Sequence, residues 1–267
     1  ASSEKILRLI LGDQLNPAHS WFEKPDGRVT YVLMEIRQET DYVQHHLQKV
    51  AAFFAAMRAF ADHLKGRGHR VVYLTLDDPE NRQTIPDNLR RLIRREGYTR
   101  FGCLQPDEYR LDRQLRQTVA SLPVPGEVRD TEHFLTERDE LKAMFAGRKR
   151  YLMEAFYRRM RRRCDVLMDG GKPAGGAWNY DAANRGAYDG RVPIPRPLAF
   201  DNDVRGITAM IRRAKVTTFG EIDPARLIWP IDRPQALRLL DAFIRSGLPH
   251  FGTYQDAMTL ASGSLFH

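Results

Sequence analysis

The sequence predicts an α/β protein: a five-stranded, mainly parallel sheet with helices on both faces, followed by a linker and the start of an all-helical domain. Three observations carry this. Short apolar runs alternate with helix-period stretches up to about residue 131, the pattern of crossover units in a parallel sheet. The first run, within 8–15 (RLILGDQL), breaks at Gly12 and passes at once to Asp13 and Gln14, as a buried central strand ends. Beyond residue 131 the strand-like runs stop and helical periodicity takes over.

Strands are expected at 6–12, 29–34, 71–76, 101–104 and 124–130. A long helix is expected over 42–65, where Val43, Leu47, Val50, Phe53, Phe54, Met57, Phe60, Ala61 and Leu64 recur at three- and four-residue steps. Gly66 and Gly68 stop it. Asp77-Asp78-Pro79 reads as a turn and helix start, and helices are expected at 89–95 and 111–120. In the second part, helices are expected at 136–146 and 149–168, the latter with an apolar stripe of Leu152, Met153, Phe156, Met160 and Cys164. Residues 169–200 lose periodicity and are rich in Gly, Pro, Asn and Asp. They are too long for an ordinary connection and read as a functional loop or an interdomain linker. Helices resume at 203–214, 233–247 and from 254. The organisation is thus 1–131, an α/β domain; 132–200, basic helices and linker; and 201–267, the beginning of a helical domain.

A chain of 267 residues, 42% hydrophobic and 28% charged, has an ordinary globular composition. It contains no apolar run of about 18 residues, so no membrane span is expected. The opening Ala-Ser-Ser-Glu-Lys has no signal-peptide core, which points to the cytoplasm. Cys103 and Cys164, far apart, predict reduced thiols and no disulfide framework. No Gly-rich phosphate loop of either common kind is present, which disfavours an ordinary nicotinamide or P-loop enzyme. There is no G-x-S-x-G elbow either. His45 and His46, adjacent on a helix, would point about 100° apart and read as surface or capping residues, not metal ligands.

Ligands of open α/β sheets bind outside the carboxyl ends of the strands. Asp13 and Gln14 follow the first strand, Glu39 and Tyr42 the second, and Asp107, Glu108 and Tyr109 the fourth. An acid and an amide at such a place suit a polar ring edge, although Asp13 equally suits a turn or helix cap. The net charge of +8 is concentrated: eight basic residues and one acid, Glu154, lie between Arg148 and Arg163. That stretch is either a phosphate-seeking surface or a solvated basic face. Trp178 and Tyr180, beside Asn and Arg in a Gly-rich loop, either stack on unpaired bases or anchor the linker.

The segments 9–15 (LILGDQL), 42–46 (YVQHH), 55–58 (AAMR), 147–149 (GRK), 153–162 (MEAFYRRMRR), 175–185 (GGAWNYDAANR) and 251–258 (FGTYQDAM) follow one another along the chain. Together they resemble the N-terminal half of the prokaryotic iron–sulfur photolyases and cryptochromes, the bacterial (6-4) photolyase-related proteins. The resemblance implies a Rossmann-like N-terminal sheet. It also implies a flavoprotein that repairs pyrimidine (6-4) lesions in DNA with light, using FAD, a [4Fe–4S] cluster and a lumazine antenna pigment. Carried over, Asp13, Gln14, Glu39, Tyr42 and Phe53 are antenna contacts, and Tyr254 is a flavin contact. Arg185 matches a position implicated in engaging lesion DNA, and Arg158, Arg159, Arg162 and Trp178 are the further DNA-binding candidates from the basic helix and the aromatic loop. Residues 261–267 resemble the approach to the segment that holds the flavin pyrophosphate. The resemblance puts the FAD site and the four cluster cysteines of the family downstream of this stretch, so no catalytic residue or metal ligand is expected within this chain. Cys103 and Cys164 match none of the family's ligands and cannot supply four cluster thiolates. The expectation is therefore a fragment, monomeric and inactive by itself, whose parent binds DNA, FAD and [4Fe–4S]. The alternatives are a blue-light-sensing cryptochrome without repair activity and a stand-alone nucleotide- or flavin-binding module.

Overall fold

The structure, a computed structural model, describes residues 4–260, 262–263 and 265–266. Of the 261–267 segment, Ala261, Ser264 and His267 lie outside the described residues. Five strands form one fully parallel sheet: β1 (Ile6–Leu9), β2 (Val29–Met34), β3 (Arg70–Leu74), β4 (Arg100–Leu104) and β5 (Gly126–Arg129). Their spatial order is β3-β2-β1-β4-β5. The chain runs outward from β1 to β3, then returns to the other side of β1, so the order reverses between β1 and β4. This is the doubly wound arrangement the sequence predicts.

Alternation along the strands feeds two cores. Ile10, Tyr31 and Leu33 face one side, against α2 (Leu47–Gly66) and α7 (Arg205–Arg213), which contribute Val50, Phe54, Met57, Leu64, Ile207, Met210 and Ile211. Leu7, Leu9, Val32 and Met34 face the other side, against α3 (Ile85–Glu96) and α4 (Tyr109–Ser121) through Leu89, Leu92, Leu111 and Leu115. Every residue of β2 is buried, as befits a strand covered on both faces.

Several boundaries differ from the sequence expectation, each for a local reason. The helix expected from residue 42 begins at Leu47, because His46 is extended and its Nδ1 accepts the Gln48 N–H as an N-cap. A short helix, α1 (Arg37–Asp41), precedes it, and Tyr42 and Val43 are half exposed. The helix start expected at Pro79 comes at Ile85, where Thr84 caps the Asp87 N–H. Farther on, the 136–146 helix contracts to α5 (Glu140–Met144) and the 149–168 helix to α6 (Met153–Cys164). Asp165 and Leu167 take left-handed φ of 52° and 53° and end α6. The buried residue of α6 is not one of its apolar stripe but Arg161, whose guanidinium donates to the carbonyls of Val166 and Leu167 past the helix end. The 169–200 region is irregular apart from a two-residue antiparallel pairing (Met168–Asp169 with Lys172–Pro173) and a 3-10 turn at Asp181–Ala183. The expected 233–247 helix is α8 (Arg233–Ala242) followed by a π turn, Phe243–Gly247. The helix expected from 254 onward instead ends there, as α9 (Leu248–Tyr254).

The chain divides into two compact units, 1–133 with 199–239, and 134–198 with 240–267. No described helix is long and apolar enough to cross a membrane.

Candidate ligand crevice and basic surface

In the first unit, β1 ends in a tight turn that its own side chains build. Gln14 N–H donates to Leu11 O at 3.0 Å, and Gln14 Oε1 accepts the Leu11 N–H at 3.2 Å, closing a ring around Gly12 and Asp13. Gln14 is buried and serves the turn; it does not line the crevice beside it. A Cβ on Gly12 would meet Met57 Sδ at 3.1 Å and Phe53 Cδ1 at 3.2 Å, so glycine lets α2 approach the strand end. Asp13 stands at the crevice wall with solvent access. Partial desolvation raises its carboxyl above the ordinary 3.8, the neighbouring Asp107 and Glu39 charges add to the rise, and a backbone hydrogen bond and His133 oppose it.

The crevice opens at the carboxyl ends of β1, β2 and β4 and encloses about 240 Å³. Its walls are Leu11 to Asp13, then Ile36, Glu39, Thr40 and Tyr42, the α2 face carrying Lys49, Phe53 and Met57, and the start of α4. Tyr42 (51% exposed) and Phe53 (43% exposed) present aromatic surface to it. Glu39, at the crevice wall, is itself paired. Arg110 grips it bidentately, Nη1 to Oε1 at 3.0 Å and Nη2 to Oε2 at 2.8 Å, and Gln38 Nε2 donates to Oε1 at 2.8 Å. The same guanidinium lies 4.3 Å from the centre of the Tyr42 ring. Its Nε is buried with no hydrogen-bond partner among the described residues.

Sequence reading missed Arg110 and Lys49. The available signal for Arg110 was its place just after Glu108, which caps α4 by accepting the Arg110 and Leu111 N–H groups. Lys49 stands 3.3 Å from His45 Nδ1, and burial together with this ammonium lowers the His45 pKa, which favours the neutral imidazole. Tyr109, named with Glu108, is exposed and lies outside the crevice.

The second unit carries the basic surface. Arg158 pairs with Glu154 at 2.8 Å, and Arg159 and Arg163 converge on Glu140, Arg163 with both oxygens at 2.8 and 2.6 Å. Trp178 is half buried, and the guanidiniums of Arg158, Arg161 and Arg162 lie 5.3, 5.3 and 4.6 Å from its ring. Its ring is thus a packing surface for arginines. Arg162 and Arg185 are exposed and have no carboxylate partner among the described residues. Tyr254 is half buried, stacked on Phe266 at 5.3 Å and edge-on to Tyr188 at 5.6 Å.

The site residues therefore form two groups. Asp13, Glu39, Tyr42 and Phe53 meet in one crevice, with Gln14 shaping its wall. Arg158, Arg162 and Trp178 cluster, while Arg159 turns to Glu140 and Arg185 lies on its own loop.

Residues 8–227 match the family profile described as deoxyribodipyrimidine photo-lyase-related protein. The chain is 35% identical over 266 residues to a (6-4) photolyase of Agrobacterium fabrum, covering 98% of this chain and 52% of that protein. It is also 24% identical over 198 residues to an uncharacterized protein of Acanthamoeba polyphaga mimivirus, covering 71% of this chain and 98% of that one. The chain spans about half the length of the curated photolyase. On the extent of the profile match and the identity to the photolyase, the chain belongs to the deoxyribodipyrimidine photo-lyase-related protein family.

Proposed function

We propose that this chain is the pigment-holding and DNA-contacting part of a flavoprotein that reverses pyrimidine (6-4) lesions with light. The observation that carries the reading is the crevice at the carboxyl ends of β1, β2 and β4, in a chain that aligns along 98% of its length with a (6-4) photolyase. Its residues fit a lumazine. About 240 Å³ admits a flat two-ring head, a little under the roughly 300 Å³ at which small-molecule sites begin. Tyr42 and Phe53 offer ring surface, Asp13 a carboxyl for the polar edge, and Arg110 the unpartnered Nε. When bound, the pigment supplies light absorption and passes the excitation on; the protein sets its orientation and surroundings.

Within this chain the residues have separate tasks. Gln14 fixes the turn that presents Asp13. Glu39 holds Arg110 against Tyr42, so the ligand meets the guanidinium and the ring before it meets the Glu39 charge. Tyr254 is the flavin contact within this chain. The [4Fe–4S] cluster is assigned to the full-length protein, since it takes four thiolates and this chain has two cysteines, and FAD is assigned there on the family resemblance. Arg158, Arg159, Arg162 and Arg185 supply the positive surface for DNA, with Trp178 holding the arginines in place.

The test is retention of lumazine by the chain through gel filtration, read by pigment absorption. The chain keeps the pigment, and the Asp13→Ala/Glu39→Ala variant loses it while its unfolding midpoint stays near the parent's. Equal pigment content in parent and variant would move the site elsewhere.

A further inference from the structure

Arg185 lies in the irregular stretch after the Asp181–Ala183 turn, with its side chain exposed. Its backbone, however, is pinned on both sides. The Asn184 carbonyl accepts the Asp256 N–H at 3.3 Å, and the Gly186 N–H donates to the Thr253 carbonyl at 3.0 Å. No helix or strand contains residues 184–186, so these bonds are not part of a regular element. They bracket Tyr254, which is held by its stack on Phe266 and its edge contact with Tyr188. Gly186 is required by the approach. A Cβ there would lie 3.0 Å from the Thr253 carbonyl oxygen and 3.1 Å from Thr253 Cγ2.

An exposed arginine on a mobile loop must order its backbone when it meets a phosphate; one whose neighbours are already tied does not. We infer that the clasp between 184–186 and 253–256 is a positioning device, in which Asn184 and Gly186 hold the backbone around Arg185 so that its guanidinium is presented to a DNA phosphate. This rests on the reading of Arg185 as a DNA contact given above. Gly186 touches no ligand; it acts through Arg185.

The test is binding of the chain to a fluorescein-labelled DNA duplex, followed by anisotropy across a salt series. Each phosphate contact contributes about 0.9 to the slope of log affinity against log salt. Arg185→Ala therefore weakens binding several-fold and flattens the slope by about one contact. Gly186→Val, by breaking the clasp, reproduces both changes, and the double variant is no worse than Arg185→Ala alone. Gly186→Ala, whose Cβ asks Thr253 to give by a few tenths of an ångström, shows the same change at smaller amplitude and serves if the valine variant does not fold. A purely structural role for Gly186 would lower affinity with the parental slope retained, or would add to the Arg185→Ala loss; either result overturns the clasp. Parental binding by Arg185→Ala would overturn the DNA role of Arg185, and the clasp with it.

Discussion

Glu35, the residue after β2, is fully buried, and its replacement tests how the crevice is held. Oε1 accepts from Arg58 Nε at 2.7 Å and from the Tyr73 hydroxyl at 2.7 Å. Oε2 accepts from Arg58 Nη2 at 3.0 Å and from the Leu76 N–H at 3.0 Å. Burial, with the Glu35 charge behind it, pushes the Tyr73 hydroxyl pKa up, so the phenol stays a donor. Each carboxylate oxygen thus faces two donors, and a glutamine in this place sets its NH2 against two donors whichever way it turns. Breaking a buried ion pair costs about 3–5 kcal/mol. Arg58 keeps 32% of its side chain in solvent and can rehydrate, so Glu35→Gln should sit near the low end, about 3 kcal/mol. For a unit of this size about 1 kcal/mol moves the midpoint by about 2–4 °C, which gives a drop of roughly 6–12 °C. Thermal and urea unfolding read it, with the urea slope unchanged. Glu35→Leu/Arg58→Met removes the buried ion pair but leaves the Tyr73 hydroxyl and the Leu76 N–H without their acceptor, so it should recover only part of the loss. A loss of less than about 1 kcal/mol for Glu35→Gln would refute the premise that this carboxylate is fully committed to its four donors.

Two further predictions concern the β1 turn. Asp13→Asn should stabilise the fold at neutral pH and confer nothing below pH 3.8: the folded carboxyl titrates above its ordinary 3.8, so the folded state binds more protons between the two values and stability falls as pH rises through them. Midpoints of parent and variant against pH should converge in acid, and a variant less stable at neutral pH would contradict the raised carboxyl. Gln14→Ala strips the buried Leu11 N–H of its acceptor and should cost about 1–3 kcal/mol. It should also weaken pigment retention although Gln14 does not line the crevice; full retention would show that the turn holds Asp13 without it.

The sheet was legible because its strands are apolar and short, and because Gly12, Asp13 and Gln14 break the first of them sharply. The same reading placed Asp13, Glu39 and Tyr42 after strand ends, Phe53 entered through the family resemblance, and all four line one crevice. The Glu39–Arg110 pair was not legible. It joins residues 71 apart that meet only because β4 lies beside β1, and no local pattern encodes that adjacency. Helix limits failed where side chains compete with periodicity. Val43 fits the α2 stripe, yet the His46 cap stops the helix beyond it. In α6 the apolar stripe implied burial of Leu152 and Met153, but both are exposed, and Arg161 is buried because it satisfies carbonyls past the helix end.

The concentrated positive charge is also redistributed by structure. Within the span from Arg148 to Arg163 the sequence offers one acid, Glu154, and so suggests a nearly unopposed field. Folding brings Glu140 beneath Arg159 and Arg163, and Glu154 beside Arg158. These exposed pairs contribute little stability each, but they fix guanidiniums that would otherwise sweep through solvent. Arg161 is committed to the backbone at the α6 end, and Arg162 is held against Trp178. The long-range field that draws a polyanion depends on net charge and survives the pairing, while the contacts that orient it depend on which guanidiniums still have open donors. On the proposed DNA-contacting role, attraction is a property of the whole α6 region, and orientation rests on the few cations, Arg162 and Arg185 among them, that no described carboxylate engages.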